Sequence, residues 1–239
     1  MKIARALAPV GQRIDASDLV RAFASRNRHY RERALQPDLA RFFRVRTALA
    51  VSSGKAALTL ALLALARVNP RRRVIIPAYT CYSVPSSIVK AGLDVVPCDL
   101  ADGSFDYDFS RLTPLLQDDV LCVVSVHLFG IPSDTARLKQ LCRRRGIFVI
   151  EDAAQALSSS TTIGTTGDIG VFSFGRGKNI TCGSGGMIVT DADEIATALT
   201  EITSHLPRTA LIQDFATFVT LLFLSWFILP RLYWLPAGL

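Results

Sequence analysis

Lysine is scarce in this chain of 239 residues, and arginine supplies most of its positive charge. The lysines are Lys2, Lys55, Lys90, Lys139 and Lys178. The five cysteines show no CxxC spacing, which argues against a disulfide scaffold and against a zinc site, and indicates a reducing, cytoplasmic setting. The first residues carry charge but no long apolar stretch, so the pattern predicts no secretory signal.

The net charge of +7 comes mainly from arginines in the N-terminal third of the chain. Such an excess can serve nucleic acid, a membrane surface or an anionic substrate. Nucleic acid is the weakest of these, because the sequence has no nucleic-acid-binding module and no basic motif interleaved with aromatic residues. Hydrophobic residues make up 50% of the chain, so a sizeable buried core is expected.

Short apolar segments alternate with helix-forming segments through most of the chain. The predicted strands are Thr47–Val51, Arg73–Ile76, Asp94–Pro97, Val120–Val126, Ile147–Ile150, Ile169–Phe174 and Met187–Thr190. Because these strands are apolar throughout and helices lie between most of them, the pattern predicts an α/β fold, a three-layer α/β/α sandwich with a mainly parallel sheet. Ligands of such sheets bind beyond the carboxyl ends of the strands, so function is expected there.

Composition divides the chain into three regions. Residues 1–46 are predicted to form a polar, basic arm with a helix near Ser17–Arg26, residues 47–206 a large domain, and residues 207–239 an apolar C-terminal segment. Residues 215–229 carry no charge. This run is shorter than the roughly 20 residues of a membrane span, so it predicts either contact with a membrane surface or a core helix without its covering partner.

A glycine-rich loop between the last two predicted strands contains a single lysine, Lys178. Glycine lets a backbone adopt positive φ and approach another group closely, so this loop is expected to wrap around something. A lysine held there can attack a carbonyl carbon, and the alternative is a solvated turn lysine. A phosphate loop of the GxxxxGK[ST] kind is excluded, because Phe172 occupies the position of the first glycine and Asn179 that of the Ser or Thr.

Three further features lie at predicted strand ends. The segment Ser52–Lys55 forms a strand-to-helix junction, where free amides and the helix dipole favour an anion, although most such junctions are simple helix caps. Asp152 can hold a ring nitrogen protonated or cap the next helix, and Ser173 can bind an anion or merely finish a strand. Together, an anion nest, a strand-end aspartate and a glycine-wrapped lysine are the parts that hold pyridoxal phosphate.

Five segments of the sequence resemble the nucleotide-sugar aminotransferases of the DegT/DnrJ group. They are VSSGKAALTLAL, VIIPAYTCYSVPSSIVKAGLDVVPCDL, VVSVHLFG, VIEDAAQAL and GDIGVFSFGRGKNITCGSGGMIVT, in the family's order and spacing. The resemblance covers about residues 40–200 and implies the fold-type-I aminotransferase architecture, with pyridoxal 5′-phosphate as cofactor. It also implies transfer of an amino group from glutamate to a keto sugar linked to a nucleotide, in polysaccharide or glycoconjugate assembly, by a homodimer.

The resemblance also implies a role for each matching residue. Lys178 matches the family's Schiff-base lysine, which anchors the cofactor and shuttles a proton. Asp152 matches the partner of the pyridinium nitrogen, and Gln155 matches the contact to the ring hydroxyl. The phosphate contacts fall on Ser173 and on the amides around Gly54, Lys55 and Ala56.

The sequence departs from the family's pattern at several positions. Lys55 stands where the family usually has threonine, a change that still serves a phosphate group. Cys81 stands where the family usually has an aromatic residue stacked on the cofactor ring, and Tyr79 and Tyr82 are alternatives for that role. Ser184 stands where the family has an acidic residue.

The resemblance also implies a C-terminal domain, so the chain is interpreted as the large domain of such an enzyme with the remainder missing. Two alternative functions stay open. A pyridoxal-phosphate sugar dehydratase is disfavoured, because relatives of that kind replace the lysine by histidine and this chain has Lys178. A non-catalytic remnant, which binds the cofactor, a membrane or a partner without turnover, is favoured by the missing domain.

Overall fold

The computed structural model describes residues 14–24, 28–157, 163–206 and 211–227. Seven strands form one sheet, and every strand predicted from the sequence is present, with ends that differ by at most two residues. They are β1 (Thr47–Val51), β2 (Arg73–Pro77), β3 (Asp94–Cys98), β4 (Val120–Val126), β5 (Phe148–Asp152), β6 (Ile169–Ser173) and β7 (Gly186–Thr190).

Helices precede, separate and follow these strands in the described part of the chain. They are α1 (Ala16–Ala24), α2 (Arg28–Phe43), α3 (Gly54–Val68), α4 (Ser83–Lys90), α5 (Phe109–Leu115), α6 (Thr135–Arg143), α7 (Asp193–Ser204) and α8 (Leu211–Phe227). Helix α3 consists mainly of alanine and leucine, which favour the helical state, and its buried residues are all apolar except Thr59. Among the strands, it packs mainly against β6 and β7, on one face of the sheet.

The strand order is β1-β7-β6-β5-β4-β2-β3. Strands β2 to β6 pair in parallel, whereas β7 runs antiparallel to both of its neighbours, β1 and β6. The predicted mainly parallel sheet is therefore confirmed. Since β1 and β6 both run opposite to β7, the carboxyl ends of β1 and of all the parallel strands meet at one edge.

Helices cover both faces of the sheet, which confirms the predicted three-layer sandwich. On one face, α3, α4 and α7 enclose a core with β2, β4, β5 and β6 that includes Leu62, Leu65, Ile88 and Leu199. On the other face, α5 and α6 enclose a second core around Leu112, Leu138 and Val149. Strand β4 is buried along its whole length, as expected for a strand covered on both faces.

The N-terminal region contains more structure than the sequence predicts. The expected helix near Ser17–Arg26 corresponds to α1, but α2 was not predicted, because its sequence is polar and contains Pro37. The end of α2 packs on β1 and places Phe43 against Phe172, with ring centroids 4.7 Å apart. Tertiary contacts therefore stabilise a helix that its composition does not favour. The division into an arm and a large domain remains a prediction.

Helix α8 carries the apolar C-terminal segment. Phe215, Val219, Phe223 and Trp226 are exposed on it, and their spacing places them along one helical face. The helix contacts α1, and Leu221 lies against Gly183 in the glycine-rich loop. Within the described residues, no helix combines the length and the apolar character needed to cross a membrane. Contact of this segment with a membrane surface or a second chain remains a prediction.

Candidate active site

The first turn of α3 lies directly against the end of β6. Ser53 precedes the helix with an extended backbone, and its Oγ accepts a hydrogen bond from the amide of Ala56 at 3.1 Å. The first amides of a helix lack intrahelical partners and carry partial positive charge, so they favour an anion. A Cβ added at Gly54 would lie only 2.6 Å from the Cβ of Ser173. The fold therefore brings the predicted nest and Ser173 together.

Strand β7 closes the other side of this nest. A Cβ at Gly186 would collide with the backbone carbonyl of Ser53, so the strand can pass this close only with glycine there. Ser184 Oγ donates a hydrogen bond to the carbonyl oxygen of Ser52 at 2.7 Å, and Gly185 forms a bridge with Ser53. Some of the glycines in this loop are therefore needed because the backbone passes close to the nest, and not because the loop wraps around a ligand.

Substituting Gly54 by alanine is expected to weaken binding of a phosphate-bearing ligand by about ten-fold or more. The new methyl group would press on Ser173 and displace the amides of the nest from it. A titration of the visible absorbance of pyridoxal phosphate would measure the effect. Gly175→Ala is the matched control, because its Cβ would meet only Ser173 Oγ, at an ordinary 3.5 Å.

A double-mutant cycle with Ser173→Gly then tests the stated cause. If the methyl–Ser173 collision is responsible, Ser173→Gly should cost less affinity in the Gly54→Ala background than in the wild type, giving a non-additive pair. Losses that simply add would show that the collision with Ser173 does not cause the loss in Gly54→Ala.

Asp152 is the last residue of β5, and it is buried. Its Oδ1 accepts a hydrogen bond from the amide of Ala154 at 3.0 Å. Across the parallel pair it lies beside Val171, two residues before Ser173, so Asp152 and Ser173 face the same side of the sheet. Burial raises the pKa of the Asp152 carboxyl above its usual value, although the amide of Ala154 and the positive charge of Lys178 act in the opposite direction. Asp152 and Lys178 are therefore electrostatic neighbours.

Glu151 faces the opposite side of the sheet and is fully engaged by the protein. Its two carboxylate oxygens accept hydrogen bonds from the backbone amides of Gly164, Thr166 and Gly167, at 2.6 to 3.2 Å. His127 Nδ1 accepts a hydrogen bond from the amide of Ser133, so the ring hydrogen lies on Nε2, which is 2.8 Å from Glu151 Oε2.

The charge of Glu151 is stabilised by these contacts. Burial by itself raises the pKa of the Glu151 carboxyl, but the hydrogen bond from His127 and those from the amides of Gly167 and Gly164 hold it below its usual value. Glu151 and His127 are both almost completely buried. Glu151 is therefore a buried anchor for the loop before β6, whereas Asp152 faces the nest side of the sheet.

Lys178 lies half-buried in the glycine-rich loop between β6 and β7. Its backbone amide donates a hydrogen bond to the carbonyl of Gly175 at 3.2 Å, and Gly177 between them has a φ of 82°, a left-handed conformation that favours glycine. The side chain of Leu221 from α8 covers Gly183 further along the loop. The lysine is thus presented by a folded turn at the carboxyl edge of the sheet.

Gln155 lies just after β5, at the same edge. Its Oε1 accepts a hydrogen bond from the backbone amide of Phe129 at 3.0 Å. Phe129 has a φ of 56°, which is uncommon for a residue other than glycine. The amide oxygen of Gln155 is therefore occupied, and its NH2 group is the part that can still donate to a ligand.

Tyr79, Cys81 and Tyr82, which follow β2, contact different parts of the protein. Lys55 Nζ lies over the ring of Tyr82, 5.1 Å from its centroid, at the start of α3. The ring of Tyr79 instead stacks on Phe105, with centroids 6.3 Å apart. The Sγ of Cys81 lies 3.1 Å from Ser83 Oγ. Of the two tyrosines considered as stacking residues, Tyr82 is thus the one that contacts a residue of the nest.

His127 and Glu151 lie at the strand ends where the sequence predicts function, but the sequence did not identify their hydrogen bond or the aromatic contacts of Phe129. The only local signal for them is their position, because each residue lies at or just beyond the end of a predicted strand. The pairing itself depends on the register between β4 and β5, in which Ser125 lies beside Glu151.

The fold and this arrangement at the edge of the sheet define an aminotransferase architecture. A solved aminotransferase from Psychrobacter cryohalolentis superposes with a TM-score of 0.75 at 26% identity, covering 87% of this chain and 55% of that one. A solved GDP-4-keto-6-deoxy-D-mannose-3-dehydratase of E. coli superposes with a TM-score of 0.74 over 86% of this chain and 58% of that one. At 23% identity, the latter likeness concerns the fold alone.

Residues 21–213 match the model of the DegT/DnrJ/EryC1/StrS aminotransferase family, and the chain belongs to that family. It is 32% identical over 163 residues to a GDP-perosamine synthase of Vibrio cholerae, covering 67% of this chain and 44% of the relative. It is also 32% identical over 177 residues to a UDP-N-acetyl-3-dehydro-alpha-D-glucosamine 3-aminotransferase of Acidithiobacillus ferrooxidans, covering 72% of this chain and 48% of the relative. The chain thus spans about half the length of the curated relatives it matches.

Proposed function

We propose that this chain binds pyridoxal 5′-phosphate and transfers an amino group from an amino acid, glutamate in the first instance, to a keto sugar linked to a nucleotide. The observation that carries the proposal is the close approach of Gly54 to Ser173. It brings an anion nest onto the strand that leads directly into the Lys178 loop, beside the buried carboxylate of Asp152.

The residues at this edge fit the chemical groups of the cofactor. The amides of the first turn of α3, the hydroxyl of Ser173 and the positive charge of Lys55 suit a phosphate. Gly54 allows the first turn of α3 to approach Ser173 this closely, and any larger residue there would collide with it. The buried carboxylate of Asp152 suits a protonated ring nitrogen, and the free NH2 group of Gln155 suits a ring hydroxyl.

When bound, pyridoxal phosphate supplies an aldehyde carbon that carries the amino group and a ring that accepts electrons. Lys178 Nζ would hold that carbon covalently and, once displaced by the incoming amine, would remove and return a proton. Asp152 would keep the ring nitrogen protonated, because a positive partner favours the ionised carboxylate against the burial that opposes it. Glu151 and His127 would fix the end of β5 without contacting the cofactor.

The substrate class is supported by the relatives rather than by the site. Both curated relatives are named for nucleotide-linked amino sugars, one carrying GDP and the other UDP. The sugar dehydratase stays the less favoured alternative, since Lys178 occupies the loop position at which histidine is expected in those enzymes.

Amino transfer by the purified chain tests this function. With pyridoxal phosphate and 15N-labelled glutamate, we expect one equivalent of 2-oxoglutarate per active site and transfer of the label to the cofactor. In the reverse direction, GDP-perosamine or the corresponding UDP-linked amino sugar should yield a keto sugar detectable by mass spectrometry. Lys178→Ala should abolish both reactions.

A chain that binds the cofactor but forms no 2-oxoglutarate would favour the alternative of a non-catalytic remnant. That alternative rests on one observation, the coverage of only about half the length of the curated relatives. Adding a separately produced C-terminal half of a relative would then show whether activity requires the region of the relatives that this chain does not match.

A further inference from the structure

Three aromatic rings form a row along the carboxyl edge of the sheet, away from the Lys178 loop. Tyr79 follows β2, Phe105 lies in the loop after β3, and Phe129 follows β4. Tyr79 and Phe105 stack with an interplanar angle of 22°, and Phe105 meets Phe129 edge to face with centroids 5.5 Å apart. Tyr79 is 60% exposed and Phe129 64% exposed, so the row presents open ring surface to solvent.

The row is connected to the proposed cofactor site through Gln155. The amide of Phe129 donates to Gln155 Oε1, and a Cβ at Gly130 would lie 3.2 Å from the carbonyl of Gln155. Phe129 is held in the left-handed region, at φ 56° and ψ 18°, which costs free energy for a bulky residue. Backbone strain of this kind is concentrated at ligand sites. The row therefore begins beside Gln155, a residue of the proposed cofactor site.

At its far end the row borders a cavity of about 610 Å³, of which Tyr79 forms one wall. Arg111 is paired with Asp99 at 2.6 Å and with Asp108 at 3.4 Å, so the positive charge is fully engaged and this group of three keeps a net negative charge. Asp102 lines the same cavity and is exposed, so its carboxylate can accept hydrogen bonds.

The walls of this cavity are held in place before any ligand binds. The loop after β3 folds back on itself through a bridge between Leu100 and Tyr107, and Tyr107 OH donates to the carbonyl of Val124 at 2.7 Å in the core. The amide of Asp134 donates to Asp106 Oδ1 at 2.9 Å. A preformed site of this kind loses little conformational entropy on binding.

We propose that Tyr79 and Asp102 bind the nucleobase of the nucleotide-linked substrate, with the base stacked on the open face of Tyr79. This assignment rests on the proposed function. An exposed aromatic face favours a flat aromatic ring as its ligand, because the two rings can stack. The N–H group on the pairing edge of guanine or uracil can donate a hydrogen bond to the Asp102 carboxylate. The row from Gln155 to Tyr79 then places the sugar near Lys178 and the base in the cavity.

Binding of GDP and of UDP to the cofactor-free chain, measured by calorimetry, tests the assignment. At least one of them should bind, and Tyr79→Ala should weaken the tighter of the two by about ten-fold or more. Tyr79→Phe, which keeps the ring, should retain the affinity. Phe42→Ala, which removes an exposed ring on α2, is the control and should also retain it.

The polar edge is tested with the N-methylated analogue of the tighter-binding base, which lacks the N–H donor. The wild-type chain should bind the analogue less tightly, whereas Asp102→Ala should no longer distinguish the two. If neither nucleotide binds, or if Tyr79→Ala binds as well as the wild type, the assignment is wrong. A change in oligomeric state caused by Tyr79→Ala without a change in nucleotide affinity would instead identify the row as a contact between chains, and would overturn it.

These measurements separate this inference from the proposed function. Cofactor attachment at Lys178 without nucleotide binding would overturn the base site alone. Nucleotide binding that depends on Tyr79, in a chain that never binds the cofactor, would overturn the proposed function alone.

Discussion

Replacing Lys178 with alanine is expected to abolish covalent attachment of pyridoxal phosphate while leaving the fold intact. The side chain is half-buried in a loop and belongs to none of the three hydrophobic clusters, so its removal leaves no cavity in them. The wild-type chain should show visible absorbance that borohydride bleaches, and peptide mass mapping should place the adduct on Lys178. In Lys178→Ala both the absorbance and the adduct should be absent.

Two other lysines provide matched controls. Lys90, exposed at the end of α4 and distant in sequence from the nest, should be dispensable, so Lys90→Ala should label fully at Lys178. Lys55→Ala should require more cofactor, because it removes a positive charge from the nest, but saturating cofactor should still label Lys178. An adduct on Lys55 or Lys90 in the wild type would contradict the role given to Lys178.

Replacing each of the adjacent carboxylates Asp152 and Glu151 by its amide is expected to change different properties of the protein, turnover for Asp152 and stability for Glu151. Asp152→Asn keeps an oxygen for the amide of Ala154 but removes the negative charge that faces the proposed ring nitrogen. Turnover should therefore fall roughly 100-fold or more, and the pH profile of the bound cofactor's absorbance should shift. Stability of the cofactor-free protein should not fall, since burial already disfavours the charged form of Asp152 and raises its pKa.

Glu151→Gln is expected to destabilise the protein instead. An NH2 group would replace one of the two carboxylate oxygens, which together accept hydrogen bonds from His127 and from three backbone amides. The NH2 group is itself a donor, so it would face buried N–H groups that have lost their acceptor. The cost should be about 3 kcal/mol, which lowers the midpoint of thermal unfolding by roughly 6 to 12 °C. Turnover per folded molecule should change little.

The pH dependence of stability provides a second test of Glu151. Its pKa in the folded protein lies below its usual value, so its contribution is complete above the unfolded pKa of about 4.3 and is lost as the pH falls further. The difference in stability between wild type and Glu151→Gln should therefore shrink below about pH 4. Equal loss of turnover per folded molecule in Asp152→Asn and Glu151→Gln would remove the distinction between the two carboxylates.

Much of the fold follows from local patterns in the sequence. The apolar runs of β4 and β6 do not alternate with polar residues, which is the pattern of strands covered on both faces. The alanine- and leucine-rich run of α3 predicts a buried helix. The exception is α2, which lies in the predicted polar arm but outside the one helix that the sequence predicts there. It forms because Leu39, Ala40 and Phe43 find an apolar partner in Phe172 and its neighbours, a contact that lies far away in sequence.

The sequence by itself determined the family and the residues that carry the proposed chemistry, because motifs such as SSGK, EDAAQ and the glycine-wrapped Lys178 are local. Only the tertiary structure decided which neighbours those residues have. It placed Ser173 against Gly54, set Glu151 against His127, and directed Tyr82 to Lys55 but Tyr79 to Phe105. These contacts depend on which strands become neighbours, and a local apolar pattern shows which face of a strand is buried but not which strand lies beside it.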